Sequence, residues 1–182
     1  MNKLTKSVSL LGLLGSLYLN QGCAVQQNTE AVVLPTASAA YIDSLAEQTH
    51  PLGLTLNKET TLNGLSEKSN TPSKDINWKN EFAVLGTKSF SKFEYQPDQS
   101  DKNKRCFTMG SDTLIEHTEN NGRLRSFYAC FRVNSILRSS ISRIQLDIDE
   151  DGFINTYSTS IEQKLVFEHK KNSFHTKAVL IK

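Results

Sequence analysis

The sequence lacks a hydrophobic run long enough to cross a membrane as a helix. Its N-terminal apolar stretch, Val8 to Leu19, would extend about 18 Å as a helix, against a hydrocarbon core of about 30 Å. The sequence also lacks the HExxH motif of zinc proteases, the G-x-S-x-G turn of serine hydrolases and a glycine loop for phosphate. No set of acid, base and nucleophile can be assembled from its polar residues. We therefore expect a protein without enzymatic activity and without a cofactor.

Excess charge of either sign is also missing. The chain has 21 lysines and arginines and 19 aspartates and glutamates. Removal of residues 1–22 would take away Lys3 and Lys6 and no acid, so that 19 basic side chains would face 19 acidic ones. A neutral chain lacks the positive excess that holds proteins on nucleic acids or anionic lipids. We therefore expect no nucleic-acid partner and no membrane contact through surface charge.

The N-terminal segment has the three zones of a secretory signal peptide. Lys3 and Lys6 make its start positive, the apolar stretch follows, and the small residues Gly22, Cys23 and Ala24 close it. The stretch LNQGCA resembles the lipobox of bacterial lipoprotein precursors, in which a cysteine after Gly or Ala becomes acylated. This resemblance implies a signal peptide of residues 1–22 and a lipid on Cys23, through which the protein would contact the membrane.

The residue after the cysteine bears on location. In lipoproteins of double-membraned bacteria an Asp at this place tends to retain the product at the inner membrane, and here the residue is Ala24. The resemblance therefore implies a lipid-anchored protein of the outer membrane that faces the periplasm. Gly22 and Ala24 also suit an ordinary signal peptidase that cuts after Ala24. That cut would discard Cys23 and leave a soluble exported protein, so both outcomes stay open.

The cysteine count is three, which leaves one cysteine over if the other two pair. With Cys23 carrying lipid, Cys106 and Cys130 remain, in a compartment where disulfides persist. We therefore predict a disulfide between Cys106 and Cys130, with two buried free thiols as the alternative. No second Cys or His lies close enough in sequence to either residue to predict a zinc site.

The mature chain divides in two by composition. Residues 23–75 are rich in Gln, Asn, Thr, Ser and Ala, which predicts a flexible polar tether. Inside it, Ile42, Leu45 and Ala46 have helical spacing, and LGLTL at 52–56 alternates like a short strand. From residue 76 onward, aromatic and β-branched residues are separated by turn signals. These residues, 76–182, are predicted to form a β-rich globular domain anchored by Trp78.

The pattern of this second part predicts an antiparallel sandwich or barrel of about six to eight strands. Alternation predicts strands near 90–95, 105–109, 113–117, 123–133 and 143–148, and a final hairpin from 164–169 and 174–182. Glu119–Gly122, with its Asn-Gly pair, predicts a hairpin turn. Residues 135–142 are spaced like one or two helical turns, and Ser160 with Gln163 could cap a helix that starts at Ile161.

An acidic stretch, DIDEDGFI at 147–154, is the one segment with a chemical signature. Asp147, Asp149 and Asp151, followed by Gly152, resemble the first positions of an EF-hand calcium loop. Ser158 stands where such a loop has its bidentate Glu. The stronger prediction is therefore a hairpin with a solvated acidic turn, and calcium binding is a minor hypothesis.

These features predict a non-enzymatic lipoprotein of the bacterial cell envelope. Its β-rich domain would be presented to other envelope or secretion proteins. The alternative is a binding or inhibitory module that acts on a cell-wall hydrolase or another periplasmic ligand. In that case a protruding loop such as 97–104 or 118–122 would enter a cleft.

The prediction for Cys23 can be tested in a double-membraned bacterium. The protein should incorporate radioactive palmitate and fractionate with membranes, and Cys23→Ala should abolish both, because the thiol is the acylated group. Cys106→Ala is the matched control and should leave labelling unchanged. A mature chain that begins at Val25 without label would show that the ordinary peptidase made the cut.

Overall fold

Nine strands form a single antiparallel sheet in the computed structural model, which describes residues 35–37, 39–86, 89–97, 101–168 and 170–181. The strands are β1 (Thr55–Leu62), β2 (Leu65–Pro72), β3 (Glu94–Gln96), β4 (Lys104–Met109), β5 (Asp112–Thr118), β6 (Leu124–Asn134), β7 (Arg138–Ile148), β8 (Ile154–Leu165) and β9 (Asn172–Ile181). Their order is β2-β1-β9-β8-β7-β6-β5-β4-β3, so β2 and β3 are the edges. The prediction of a mainly β, antiparallel fold is confirmed. The predicted signal peptide and Cys23 lie outside the described residues.

Strand alternation decides which face of the sheet is buried. On β6, Phe127, Ala129 and Phe131 are buried, and on β7 the same holds for Ile144 and Leu146. Side chains two residues apart point to the same side of a strand, so these residues form one apolar face of the sheet. Helices and turns cover it, so the core lies between one sheet and a helical layer.

Three short helices belong to that layer. They are α1 (Ala39–Thr49), α2 (Trp78–Glu81) and α3 (Ala83–Gly86), and 3-10 turns occur at His50–Leu52, Ser73–Asp75 and Phe90–Lys92. On α1 the buried residues Ile42, Leu45, Ala46 and Thr49 recur every three or four positions. The Thr49 hydroxyl accepts a hydrogen bond from the Ile154 backbone N–H at 3.3 Å, which fixes the end of α1 against β8.

From residue 39 onward the structure departs from the predicted tether of residues 23–75. Residues 39–75 form α1, β1 and β2, and they belong to the same compact unit as the described residues that follow them. Composition misled the prediction because β1 is stabilised by backbone pairing with β2 and β9 rather than by many apolar side chains. The helical spacing at Ile42, Leu45 and Ala46 was a correct signal.

Three local predictions from the second part are also wrong. Residues 90–95 were expected as a strand, but Phe90–Lys92 form a 3-10 turn and β3 begins at Glu94. No helical turns form within 138–142, because β7 extends from Arg138 to Ile148 as one ladder with β6 and β8. Ile161 likewise lies in β8, so the capped helix did not form. A final hairpin did form, but β8 ends at Leu165, so residues 166–168, which were expected as strand, belong to its turn.

Trp78 is buried and forms an aromatic cluster with Phe82 and Tyr157, as expected of a core anchor. Its ring stacks on Phe82 with centroids 5.7 Å apart. Beside it, the Tyr157 hydroxyl and the Lys58 ammonium each donate to Glu81 at 2.6 Å. Burial and the Glu81 carboxylate raise the pKa of Tyr157, so it stays a neutral donor. These contacts join α2 to the sheet.

A buried carboxylate, Glu116, fixes the first described residues against β5. Glu116 is fully buried, and its two oxygens accept from the Ala37 backbone N–H at 2.5 Å and from Arg105 at 2.6 Å. Arg105 also donates to the Thr36 hydroxyl at 2.5 Å. Burial raises the pKa of Glu116, although the hydrogen bonds and the Arg105 charge act in the opposite direction.

The raised pKa of Glu116 predicts a pH-dependent contribution to stability. The folded protein keeps this proton above the ordinary value of 4.5, at which the unfolded chain releases it. Stability from this shift is present below that value and is lost as the pH rises through the folded-state pKa. In urea unfolding, the free energy of unfolding of the wild type relative to Glu116→Gln should therefore fall as the pH rises above the ordinary value of 4.5, by at most ~1.4 kcal/mol per pH unit.

Glu150→Gln is the control for this measurement, because Glu150 is an exposed carboxylate in the β7–β8 turn. A wild-type advantage over Glu116→Gln that grows with pH would contradict the expectation. It would mean that Arg105 and the Ala37 N–H outweigh burial.

Candidate binding surface at the hairpin ends

The two cysteines predicted to pair lie on the same face of the sheet but not on adjacent strands. Cys106 in β4 is opposite Ile115 and Cys130 in β6 is opposite Thr113, so β5 separates them. Two strand spacings amount to about 9.5 Å, whereas the Cα atoms of a disulfide lie at most ~7 Å apart. Both cysteines are free thiols in this structure, and its strand register does not support the predicted disulfide.

The acidic stretch forms the β7–β8 turn that the sequence predicted. Asp149 accepts the Phe153 backbone N–H at 2.8 Å, and Asp147 accepts the Thr156 hydroxyl at 2.8 Å. Gly152 takes a φ of 93°, which a residue with a side chain rarely adopts. Among the described residues, no group of three or more His, Cys, Asp or Glu side chains is placed to hold a metal ion. The geometry lends no support to calcium at Asp147, Asp149 and Asp151.

Four hairpin turns lie at the other end of the sheet, and three of them, which are neighbours, carry exposed apolar residues. Leu62 at the end of β1 is opposite Phe174 at the start of β9, and β9 pairs with the end of β8. The end of β8 in turn pairs with the start of β7, where Arg138 is opposite Leu165. Ser139 of β7 is opposite Asn134 at the end of β6. The β1–β2, β8–β9 and β6–β7 turns therefore form one row.

The β1–β2 turn has the shortest connection of the three. Asn63 and Gly64 both have positive φ, at 49° and 90°. This is the two-residue hairpin geometry that an Asn-Gly pair favours, because its twist matches that of the strands. Leu62 and Leu65 flank the turn, and both are exposed.

The β6–β7 turn places two aliphatic residues at its apex. The Ser135 backbone N–H donates to the Arg138 carbonyl at 2.8 Å, and the Arg138 N–H donates to the Ser135 hydroxyl oxygen at 3.1 Å. Ile136 and Leu137 lie between these residues. The Ile136 side chain is 92% exposed.

The β8–β9 turn presents Val166 and Phe167. It is closed by the Glu168 N–H, which donates to the Leu165 carbonyl at 3.1 Å, and by Asn172, which donates to the Glu168 carboxylate at 2.9 Å. Phe167 is 86% exposed.

Hydrogen bonds between the turns join them into one platform. The Val166 N–H donates to the Leu137 carbonyl at 3.1 Å, across the β8–β9 and β6–β7 turns. The Asn63 N–H donates to the Ser173 carbonyl at 2.9 Å, and the Ser173 N–H donates back to the Asn63 side chain at 2.8 Å. The turns are thus held at fixed positions relative to one another.

The exposed apolar side chains of these turns define what we call the hairpin-end surface. It comprises Leu62, Leu65, Val133, Ile136, Leu137, Val166 and Phe167. These are seven of the ten large hydrophobic residues that are exposed among the described residues. Single exposed hydrophobic residues are normal, but a cluster of them at one end of the sheet indicates an interaction site.

Charge is distributed unevenly between the two ends of the sheet. Around the β6–β7 and β8–β9 turns, residues 132–138 and 162–171, five basic residues face two acidic ones; His169 lies outside the described residues. Around the two turns at the opposite end, residues 119–125 and 147–151, five acidic residues face two basic ones. Two of the three apolar turns are therefore basic, and two turns at the opposite end are acidic. The neighbouring segments reduce this contrast, because residues 101–105 at the acidic end contain three basic residues and one acid, and the β4–β5 turn at the apolar end adds Asp112.

Ion pairs fix charged side chains at both ends of the sheet. Glu162 accepts from Arg143 at 2.6 Å and from Lys171, and these contacts, with Lys171 the larger influence, lower the pKa of Glu162. At the opposite end Glu119 binds Arg123 at 2.7 Å and lies 3.5 Å from Arg125. The hydrogen bond from Arg123 lowers the pKa of Glu119. Both carboxylates therefore stay ionised at neutral pH.

No helix among the described residues combines the length and the apolar character needed to span a membrane. Comparison of the chain with protein-family models, with curated proteins and with solved structures finds no match. Function is therefore inferred from the geometry and chemistry of the chain's own residues.

The different burial of the two free thiols predicts that they react at different rates. In the mature chain with Cys23→Ser, N-ethylmaleimide should modify half-buried Cys106 in the folded state and Cys130, which is 3% exposed, only after unfolding. Mass spectrometry of digests measures both, and Cys106→Ser provides the single-thiol control. A cross-linked peptide that contains both residues would contradict the strand register.

Proposed function

We propose that this chain is a lipid-anchored protein of the bacterial cell envelope that acts by binding, through its hairpin-end surface, and not by catalysis. The observation that carries the proposal is the concentration of exposed apolar side chains on one row of three turns. The lipid anchor comes from the lipobox-like stretch that ends at Cys23. Together they indicate a domain that is held at a membrane and binds another envelope component through one surface.

The exposure of these side chains is not explained by packing within the chain. Ile136 and Phe167 contribute little to the core, since almost all of their surface is open to water. Polar residues at the same positions would serve the turns equally well, and turn sequences usually contain them. Apolar residues there are therefore best explained by a contact outside the chain.

The fixed geometry of the row supports a binding role. Contacts between the turns order the backbone before any partner arrives, so association does not have to order it. What remains to be ordered is a small number of side chains. Preorganisation of this kind favours binding even when the contact area is modest.

A second candidate function is the inhibition of a cell-wall hydrolase or another periplasmic ligand by the β5–β6 turn. In its favour, the turn at Glu119–Gly122 is exposed at its apex and stiffened by Arg123, which binds both oxygens of Glu119. Asn121 adds a hydrogen bond to the Arg123 N–H at 2.8 Å. A stiff, protruding turn is the shape that an active-site cleft accepts. This turn lies at the end of the sheet opposite to the hairpin-end surface.

Photo-cross-linking in living cells tests the proposal. Benzoylphenylalanine at Ile136 or Phe167 should form cross-links to another envelope component, protein or lipid, because both positions are at the apex of the surface. The matched control is Leu52, an exposed apolar residue near the start of β1 and so at the opposite end. Equal cross-linking from Leu52, or none from Ile136 and Phe167, would refute the assignment of the surface. Cross-links from Asn120 to a hydrolase would favour the second candidate.

A further inference from the structure

We propose that the hairpin-end surface docks on the surface of an anionic phospholipid bilayer, with its apolar tips in the interfacial layer. The inference rests on the proposed function, because the lipid on Cys23 is what would hold the domain beside a bilayer. It departs from the expectation that a neutral chain contacts the membrane only through its lipid. Three features of the surface favour a bilayer over a protein partner.

The first feature is shape. The apolar residues Leu65, Ile136 and Phe167 are between 81% and 92% exposed, and each belongs to a different turn. They therefore project as separate tips along one end of the sheet and do not line a groove. A protein partner would need three matching pockets, whereas the boundary between headgroups and acyl chains accepts apolar groups to a depth of ~5–10 Å without a preformed shape.

The second feature is the state of the backbone at the tips. Polar backbone groups that leave water without a partner oppose insertion. Here the N–H groups of Ser135, Val166 and Glu168 donate to carbonyls within the row of turns. The Asn63 N–H does the same toward Ser173. The turns can therefore approach the headgroup region with much of their hydrogen bonding already satisfied.

The third feature is charge. Arg132, Arg138, Lys164, Lys170 and Lys171 surround the two longer turns, against Glu162 and Glu168. All five basic side chains are exposed, so they can reach phosphate groups while the tips lie deeper. The acidic turns at the opposite end would be repelled by the same surface. An anionic bilayer therefore attracts the two basic turns more strongly than the two acidic turns, which favours contact through the hairpin-end surface.

The length of chain between Cys23 and the sheet is compatible with this orientation. Glu116, which binds Ala37, is opposite Phe127 in β6, nine residues before Ile136. Nine strand residues span about 30 Å. The twelve peptide links from Cys23 to Pro35 can span at most ~40 Å. A lipid on Cys23 and the hairpin-end surface can therefore contact the same bilayer.

Vesicle co-sedimentation tests the inference on the full mature chain, residues 23–182, with Cys23→Ser to remove the lipid. The wild-type surface should bind vesicles of phosphatidylcholine with phosphatidylglycerol, and bind vesicles of phosphatidylcholine alone several-fold more weakly. Ile136→Asp with Phe167→Asp should weaken binding at least about ten-fold, since one buried large apolar side chain already accounts for that factor. Leu52→Asp with Ile181→Asp is the apolar control at the opposite end.

A second pair of variants separates charge from apolar contact. Lys164→Gln with Lys170→Gln should reduce binding to anionic vesicles and leave the weak binding to neutral vesicles unchanged. Lys79→Gln with Lys102→Gln, two exposed lysines outside the surface, should have no effect. Circular dichroism melting confirms that each variant is folded, which the exposure of the altered residues leads us to expect.

Each other outcome overturns the inference in a distinguishable way. If the wild type does not bind anionic vesicles, or the Ile136→Asp, Phe167→Asp variant binds them equally well, the bilayer is not the occupant. The proposed function still stands if residues 136 and 167 then cross-link to a protein. Cross-links between two copies of the chain would make the surface a self-association site. Absence of any cross-link would refute the proposed function as well.

Discussion

The pairing of β1 with β9 is the contact on which the other features of this structure depend. It sets Thr55–Leu62 against Phe174–Ile181, residues more than 110 positions apart. The ladder brings Lys58 beside Ala178, in the same row as Tyr157, so that both Lys58 and Tyr157 reach Glu81 of α2. It also carries the Asn63-Gly64 turn to Ser173, where it becomes the third member of the row of turns. Without this ladder the sheet would keep its C-terminal hairpins, but the hairpin-end surface would lose Leu62 and Leu65.

The same pairing explains how much of the fold could be predicted from the sequence. The strands β4 to β9 follow one another and pair with their neighbours in sequence, so alternation and turn residues were sufficient to find most of them. The ladder between β1 and β9 leaves no such local pattern, because its stability comes from backbone pairing across a long loop closure. A usable signal was present in Asn63-Gly64 between two leucines, which is the strongest short-range indication of a hairpin. The Asn-Gly pair at 121–122 was recognised and this one was not.

The candidate site was missed for a related reason. Period-two alternation identifies residues that face a core, and it says nothing of residues at turn apices, such as Ile136 and Phe167. Helical spacing at 135–142 even led to the wrong element there, since Ile136, Leu137 and Ile141 could equally belong to a turn and a strand. Net charge misled in the same way. A sum of zero conceals two basic turns at one end of the sheet and two acidic turns at the other, because the position of each charge depends on which turns lie together in the folded sheet.

A lipid on Cys23 would change how strong the contact at the hairpin-end surface needs to be. A domain that is already attached to a bilayer meets that bilayer at a high effective concentration, so a contact too weak to hold a free protein is sufficient to orient an attached one. A stronger surface would require a larger exposed apolar area, which promotes self-association before the protein reaches its membrane. Seven apolar side chains on three turns, with basic residues beside them, match the weaker requirement. The orientation that results would direct the acidic turns at Glu119–Gly122 and at Asp149–Gly152 away from the lipid, where another envelope protein could reach them.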